Sequence, residues 1–504
     1  MSALLTVTIR QDLQLTNNEV LNSNIVAGVA SLLVRLFAGF LCERYGPRKV
    51  LCAILWASAL PCGLAGTISG PVGLYFIRFF MGIAGGSFVP AQVWVTAHFD
   101  KRVLGTSTAC AAGWGDSGVG FTFFIMPAVF ESFLRHHNHE PRVAWRLSFI
   151  VPCVLLLAVS VVCLTLCDDT PTGPWHDRPI PSPNGSFSTC STSSTGEREQ
   201  DGIERGERQF NDHNSSRLNR ITQSRNSSVT FFDGALDGTG KVTGTAKDSK
   251  GVRTRVDALE SRRGSAVSTM TETSDPELGT FSSNETKDTP FKQGLKDVVC
   301  WPTFLLASMY FTTFGTCLVI NSFLVPWYLN TFPQWDEGKA GHWAAMVGLL
   351  NIVSRPFGGL VADVIYRQAI KSNDLRGLRG KQYWLCLLCI VQGVFGVWIG
   401  VGNPKSMGTL LGGIAGYAFF MQAANGACYA LLPHVNSHVN GLMGGAVGSS
   451  GNLGGIVYSI IYRYTSIPQT LYITGACSIA IGLIVSIIHP VPRKQRHQTD
   501  DSSA

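Results

Sequence analysis

Apolar residues along the chain gather in runs of about 20, the length of helix that crosses a hydrocarbon core. These runs predict spans near residues 20–42, 50–70, 72–97, 104–129, 146–168, 297–329, 340–365, 382–402, 406–432, 439–463 and 468–489. That is eleven, five before and six after a polar block at 169–296. The pattern predicts an all-α membrane protein with an N-terminal bundle over 1–168, a central loop over 169–296, a C-terminal bundle over 297–490 and a tail over 491–504. The block at 169–296 is rich in Ser, Thr, Asn, Gly, Arg and Asp. It buries too little apolar surface to offset its ordering entropy, so it is expected to be mostly disordered.

Composition agrees with this division. Mean hydropathy is +0.18, and only 14% of residues are charged. Many of the 54 glycines lie within the spans, where small residues allow helix backbones to approach closely. The net charge of +7 carries no nucleic-acid signal, because basic residues cluster in alternate loops: Arg44, Arg48 and Lys49, then Lys101 and Arg102, then Arg367 to Lys381, then Arg493 to Arg496. By the positive-inside bias those loops, the central block and the C-terminus are expected to be cytoplasmic. Fourteen cysteines, mostly within spans, read as small apolar packing residues rather than as disulfides or metal ligands.

Other local signals change the picture little. Four glycosylation sequons, at Asn184, Asn214, Asn226 and Asn284, lie in the central block and escape glycosylation if it is cytosolic. Arg262-Arg263-Gly264-Ser265 fits a basophilic kinase site at Ser265, or an unmodified basic patch. His136, His137 and His139, with His98 elsewhere, make a weak metal pattern, and no metal or other cofactor is expected. Met1 to Ile9 is apolar but too short to span and lacks the flanks of a signal peptide. It reads as the last turns of a first helix, from a misplaced start or a truncated product.

The halves repeat each other. Arg35-Leu-Phe-Ala-Gly39-Phe-Leu-Cys-Glu43 recurs as Arg355-Pro-Phe-Gly-Gly359-Leu-Val-Ala-Asp363, 320 residues later. Gly115-Asp116-Ser117-Gly118 recurs as Gly451-Asn452-Leu453-Gly454. A guanidinium stays charged, so at membrane depth it faces a partner or a cavity. Two of them in duplicated positions point to an anion site between pseudo-symmetric halves. Their flat donor forks suit planar oxyanions better than the point charge of lysine does. The glycines at 113, 115 and 118, and at 448, 451, 454 and 455, read as side-chain-free helix strips.

With these residues in view, Gly39-Phe-Leu-Cys-Glu43-Arg44-Tyr-Gly46-Pro-Arg48-Lys49 resembles the loop signature of the major facilitator superfamily, which usually has Asp where Glu43 stands. The paired arginines and glycine motifs resemble the nitrate/nitrite porter family, and the long central loop is similar to that of its fungal members. The resemblance implies a major facilitator fold of two six-helix bundles, about eleven helices being present here. It implies one anion site gripped by Arg35 and Arg355, flanked by Tyr310, Phe314, Phe88 and Asn452, with a loop gate that includes Glu43 and Asp363. A family asparagine falls on Asp116, which reads as a proton carrier, an internal counter-ion or a loss of function. The implied activity is nitrate uptake, with nitrite a second cargo, by proton symport and alternating access across the plasma membrane. A non-transporting sensor and a carrier of another small anion stand as alternatives. No nucleophile–base constellation or nucleotide loop argues for an enzyme.

Overall fold

The protein is described from a computed structural model over residues 8–100, 103–136, 140–171, 173–175, 180–181, 187–188, 298–370, 374–435 and 440–488. Ser265, the four sequons, His137 and His139 lie outside these residues, as do nearly all of the central block and the tail. Within the described part of that block, Ile180–Pro181 (β1) and Phe187–Ser188 (β2) form one short antiparallel pair.

The first half runs through α1 (Asn17–Tyr45), α2 (Pro47–Gly63), α3 (Pro71–Gly82), α4 (Phe88–His98), α5 (Leu104–His136), α6 (Pro141–Ser148) and α7 (Ile150–Leu166). A 3₁₀ turn at Ile83–Ser87 joins α3 to α4 as one span. The second half comprises α8 (Trp301–Thr331), α9 (Glu337–Leu349), α10 (Asn351–Ile370), α11 (Asp374–Gly402), α12 (Met407–Val435), α13 (Asn440–Tyr464) and α14 (Ile467–Ile487). Ten helical segments among the described residues are long and apolar enough to cross a membrane. The eleventh predicted span is α13, a 25-residue helix whose hydropathy is diluted by glycine, serine and asparagine.

Boundaries follow local chemistry. α1 starts at a capping box, in which the Thr16 side chain accepts from Glu19 N–H and Glu19 accepts from Thr16 N–H. It stops at Gly46, whose φ of 90° favours glycine, and Pro47 then opens α2. A Cβ on Gly46 would also lie 3.1 Å from the Trp175 ring. The signature loop is thus a tight helix–helix corner.

One boundary needs correction. The span expected at 382–402 begins at Asp374. Lys381, counted with the loop charges, lies inside the helix and is fully buried, because its ammonium is neutralised by buried Asp363 at 3.0 Å.

Position in the molecule decides which faces are apolar. In α8, 72% of the most apolar window is buried, whereas in α7 the figure is 11%, so α8 is central and α7 peripheral. α7 exposes Val154, Leu155, Leu157, Val159, Val161 and Val162 and buries only Ser160. A helix exposing apolar residues in this way suits hydrocarbon rather than water.

Candidate functional site

The halves meet where glycines remove side chains. A Cβ on Gly445 of α13 would sit 2.7 Å from the Arg35 carbonyl oxygen of α1, and one on Gly120 of α5 would sit 2.8 Å from the Ala345 carbonyl of α9. The expected strip on α5 therefore splits. Gly113 and Gly120 face the second half, but Gly115 and Gly118 face open space. Successive helical residues turn by about 100°, so positions seven apart share a face that positions two and five along leave. On α13, Gly448, Gly451, Gly454 and Gly455 all pack closely, against Arg35 and Tyr429, the Tyr310 and Phe314 rings, Phe311 and Leu318 respectively.

The two arginines come to this seam. Arg35 is 4% exposed and Arg355 fully buried. Arg35 donates from Nε to the Gly85 carbonyl at 2.8 Å and from Nη1 to the Gly448 carbonyl at 2.9 Å, so it grips both halves. Arg355 meets Asp116 across the seam, with Nη2 2.6 Å from Oδ2. That contact lies off the hydrogen-bond direction, and Arg355 Nε, Nη1 and Nη2 are buried without a directed acceptor.

Aromatic rings bind the constellation together. The Arg35 guanidinium lies 5.1 Å from the Phe88 ring centre and 5.0 Å from that of Phe314. Arg355 lies 5.9 Å from each of the same two rings. These separations fall within the range of cation–π attraction, which partly offsets the cost of two like charges. Tyr310 and Phe314, one turn apart on α8, stack at 4.9 Å and 8°. Tyr429, absent from the sequence expectations, sets its edge against both Tyr310 and Phe88 and donates to the Gly444 carbonyl at 3.3 Å. The Tyr310 hydroxyl and Asn452 Nδ2 are buried without acceptors. Arg35, Arg355, Tyr310, Phe314, Phe88 and Asp116 thus form one cluster, with Asn452 on the same helix as Gly448 and Gly451.

A second layer closes one end of the seam. Glu43 Oε1 accepts the Gly441 N–H at the start of α13, at 3.1 Å. In the repeat-related position, Asp363 Oδ2 accepts the N–H of Thr106, at the start of α5, at 2.7 Å and its hydroxyl at 2.9 Å. Each carboxylate caps the positive end of a helix from the opposite half. Asp363 is also held by Lys381, which reaches the Ala430 carbonyl at 3.2 Å and His434 Nε2 at 3.1 Å. Gly39 lies against the Gly441 backbone, where a Cβ would fall 2.9 Å from its carbonyl carbon. Arg48 and Arg44 do not join this closure. Arg48 pairs within its own half, at 3.1 Å to Asp169, and exposed Arg44 lies over the Tyr45 ring at 5.4 Å.

Sequence reasoning also missed Arg78 on α3. Its Nη2 donates to Asn24 Oδ1, and its Nε is buried without an acceptor. It has no counterpart in the internal repeat. Its signal was simply a cation within an apolar run.

Two helical halves that meet at a seam holding buried arginines fit a multi-pass membrane transporter, and the Major Facilitator Superfamily model matches residues 1–457. The chain belongs to that superfamily. It is 30% identical over 433 residues to Elsinochrome transporter 1 of Elsinoe fawcettii, covering 83% of this chain and 74% of that protein. It is 24% identical to the high affinity nitrate transporter 2.5 of Arabidopsis thaliana, covering 94% and 74% of the two chains. It is also 24% identical to the nitrate/nitrite transporter NrtP of Nostoc punctiforme, covering 96% and 88%. The solved proton:xylose symporter XylE shares the fold, with a TM-score of 0.55 at 11% identity, covering 97% of this chain and 91% of that one.

Proposed function

We propose that the protein carries nitrate, with nitrite a second cargo, across the plasma membrane by proton symport. The observation that carries this reading is the set of buried polar groups at the seam without a directed partner: Arg355 Nε and Nη1, the Tyr310 hydroxyl and Asn452 Nδ2, with Arg355 Nη2 facing only Asp116. Leaving a buried donor unpaired costs about 1–3 kcal/mol. A small planar oxyanion offers only acceptors, and its flat faces fit between rings. Two guanidiniums repel each other in a low-dielectric seam, and an anion between them relieves that repulsion. Occupancy then favours closure of the halves, and rocking about the site gives alternating access.

Uptake against an inside-negative potential costs about 2.3 kcal/mol per charge per 100 mV, so an anion needs a coupled cation. Asp116 is the internal counter-ion in this reading: its carboxylate occupies Arg355, so that with the two guanidiniums the net charge is one positive, and the cargo displaces it. The capped end containing Glu43, Asp363 and Lys381 serves as the cytoplasmic gate. In this reading the central block is cytosolic, so its sequons do not meet the glycosylation machinery and Ser265 is a substrate for a cytosolic kinase.

The test is uptake of isotope-labelled nitrate by cells lacking their own nitrate carriers, with pH and voltage controlled. Saturable uptake driven by external acid is expected. No uptake by surface-expressed protein would remove the nitrate reading. A second reading, transport of an organic compound, is favoured by the elsinochrome carrier among the relatives and by Asp116, which neutralises one arginine. Competition by such compounds but not by nitrate would select it.

A further inference from the structure

The first residues of the central block turn back onto the corner between α1 and α2. Arg48 of α2 donates to the Cys167 carbonyl and pairs with Asp169 at 3.1 Å. Trp94 of α4 donates from Nε1 to the Asp168 carbonyl at 3.0 Å. A turn follows, in which the Thr170 hydroxyl donates to the Gly173 carbonyl at 2.7 Å and Gly173 N–H to the Thr170 carbonyl at 3.2 Å. The φ of 125° at Gly173 favours glycine. The turn delivers Trp175, 5% exposed, into an apolar pocket of Ala38 and Cys42 from α1, Val50 and Ile54 from α2, and Val89 and Val93 from α4.

Trp175 meets the corner at two points. Its ring lies against Gly46, and its Nε1 donates to the Glu43 carbonyl at 3.1 Å. In a continuing helix that carbonyl would accept from the residue four along, but here that residue is Pro47, which has no N–H. The indole supplies the donor that the chain itself lacks. Glu43 is also the residue whose carboxylate accepts Gly441 N–H across the seam. Beside it, Thr96, on the same helix as Trp94, accepts from Asn440 Nδ2 at 3.0 Å. The segment thus ties down, from behind, both first-half helix ends that grip the start of α13.

We propose that residues 168–175 act as a strap that positions Glu43 for its contact with α13, with Trp175 as the positioning residue and Asp169 as its anchor. Without the strap the last turn of α1 loses the donor to the Glu43 carbonyl, and the carboxylate of the same residue loses its fixed aim at Gly441. The first residues of the central block thereby set how firmly this end of the seam stays shut. Reading that end as a transport gate rests on the function proposed above; the positioning of Glu43 does not.

The test is backbone hydrogen exchange on the purified full-length protein without nitrate, so its outcome is independent of the cargo. Two amides are compared. Gly441 N–H is held by Glu43, and Thr106 N–H, which lies in the first half, is held by Asp363. Trp175→Ala is expected to speed exchange at Gly441 about tenfold and to leave Thr106 within about twofold of wild type, since local opening need not spread to a separately held amide. Trp175→Phe keeps a ring in the pocket and removes the N–H donor, so a smaller rise, about threefold, is expected at Gly441. Asp169→Asn weakens the anchor and should act in the same direction. A rise confined to Gly441 in any of these variants supports the strap. Unchanged exchange at Gly441 in every variant that folds overturns it. So does an equal rise at Gly441 and Thr106, which would make Trp175 a general packing residue of the first half.

Discussion

Arg35 and Arg355 occupy equivalent places in a repeated segment, yet the fold holds them differently. Arg35 is fastened to two backbone carbonyls, one from each half. Arg355 has one carboxylate partner, Asp116, and no directed hydrogen bond to a backbone carbonyl. Duplication therefore sets where the charges stand, while the neighbours decide which charge is free to rearrange. Arg35 is an anchor across the seam, and Arg355, in the function proposed, is the member that exchanges its carboxylate partner for the cargo.

The sharpest way to break this contrast is Arg355→Lys. Lysine cannot reproduce a planar fork of donors, and each hydrogen bond to a charged group is worth roughly 1.5–3 kcal/mol. Nitrate kcat/KM should fall roughly a hundredfold in uptake assays with normal surface expression. Arg35→Lys should show a different balance, with a smaller loss of uptake, roughly tenfold to thirtyfold, and a lower melting temperature of the purified protein, because a bridge between halves is lost. Equal transport and stability effects in the two variants would erase the distinction between anchor and adjustable arginine.

Asp116→Asn sharpens the comparison from the other side. With the carboxylate gone, Arg355 no longer has a competing anion, so nitrate should bind roughly tenfold tighter at neutral pH. An Asp116→Asn protein that binds nitrate no more tightly than wild type would show that the carboxylate does not compete with the cargo.

The smallest effects come from the glycines. Gly113→Ala presses a methyl group to 2.5 Å from the Asn351 carbonyl oxygen, so the halves cannot close as they do now. Uptake should fall severalfold. Gly115→Ala meets nothing within 4 Å and should transport as wild type.

The sequence makes part of this geometry legible, for definite reasons. Arginine is so costly in an apolar helix that Arg35 and Arg355 stand out, and the repeat then aligns Asp116 with Asn452 and Glu43 with Asp363. Ten of the long segments follow from apolar length alone, and α13 is legible although glycine, serine and asparagine dilute its hydropathy. Less can be read where burial depends on a partner distant in sequence. Lys381 looks like a loop charge until Asp363 is placed beside it. Gly115 looks like part of a packing strip until the helix face is known. Arg78 lacks a repeat partner, so the duplication does not mark it, and only the fold places it beside Asn24. Tyr429 looks like one more aromatic in a span, although it braces both Phe88 and Tyr310.

The central claim is that the paired arginines hold a planar oxyanion between the halves. Its most direct test is equilibrium binding of isotope-labelled nitrate to the purified full-length protein and to Arg355→Lys, in the same detergent and at the same pH. Saturable binding in wild type, weakened at least tenfold in the variant, is the predicted result. Superimposable isotherms, or a wild-type protein that binds no nitrate, would contradict it.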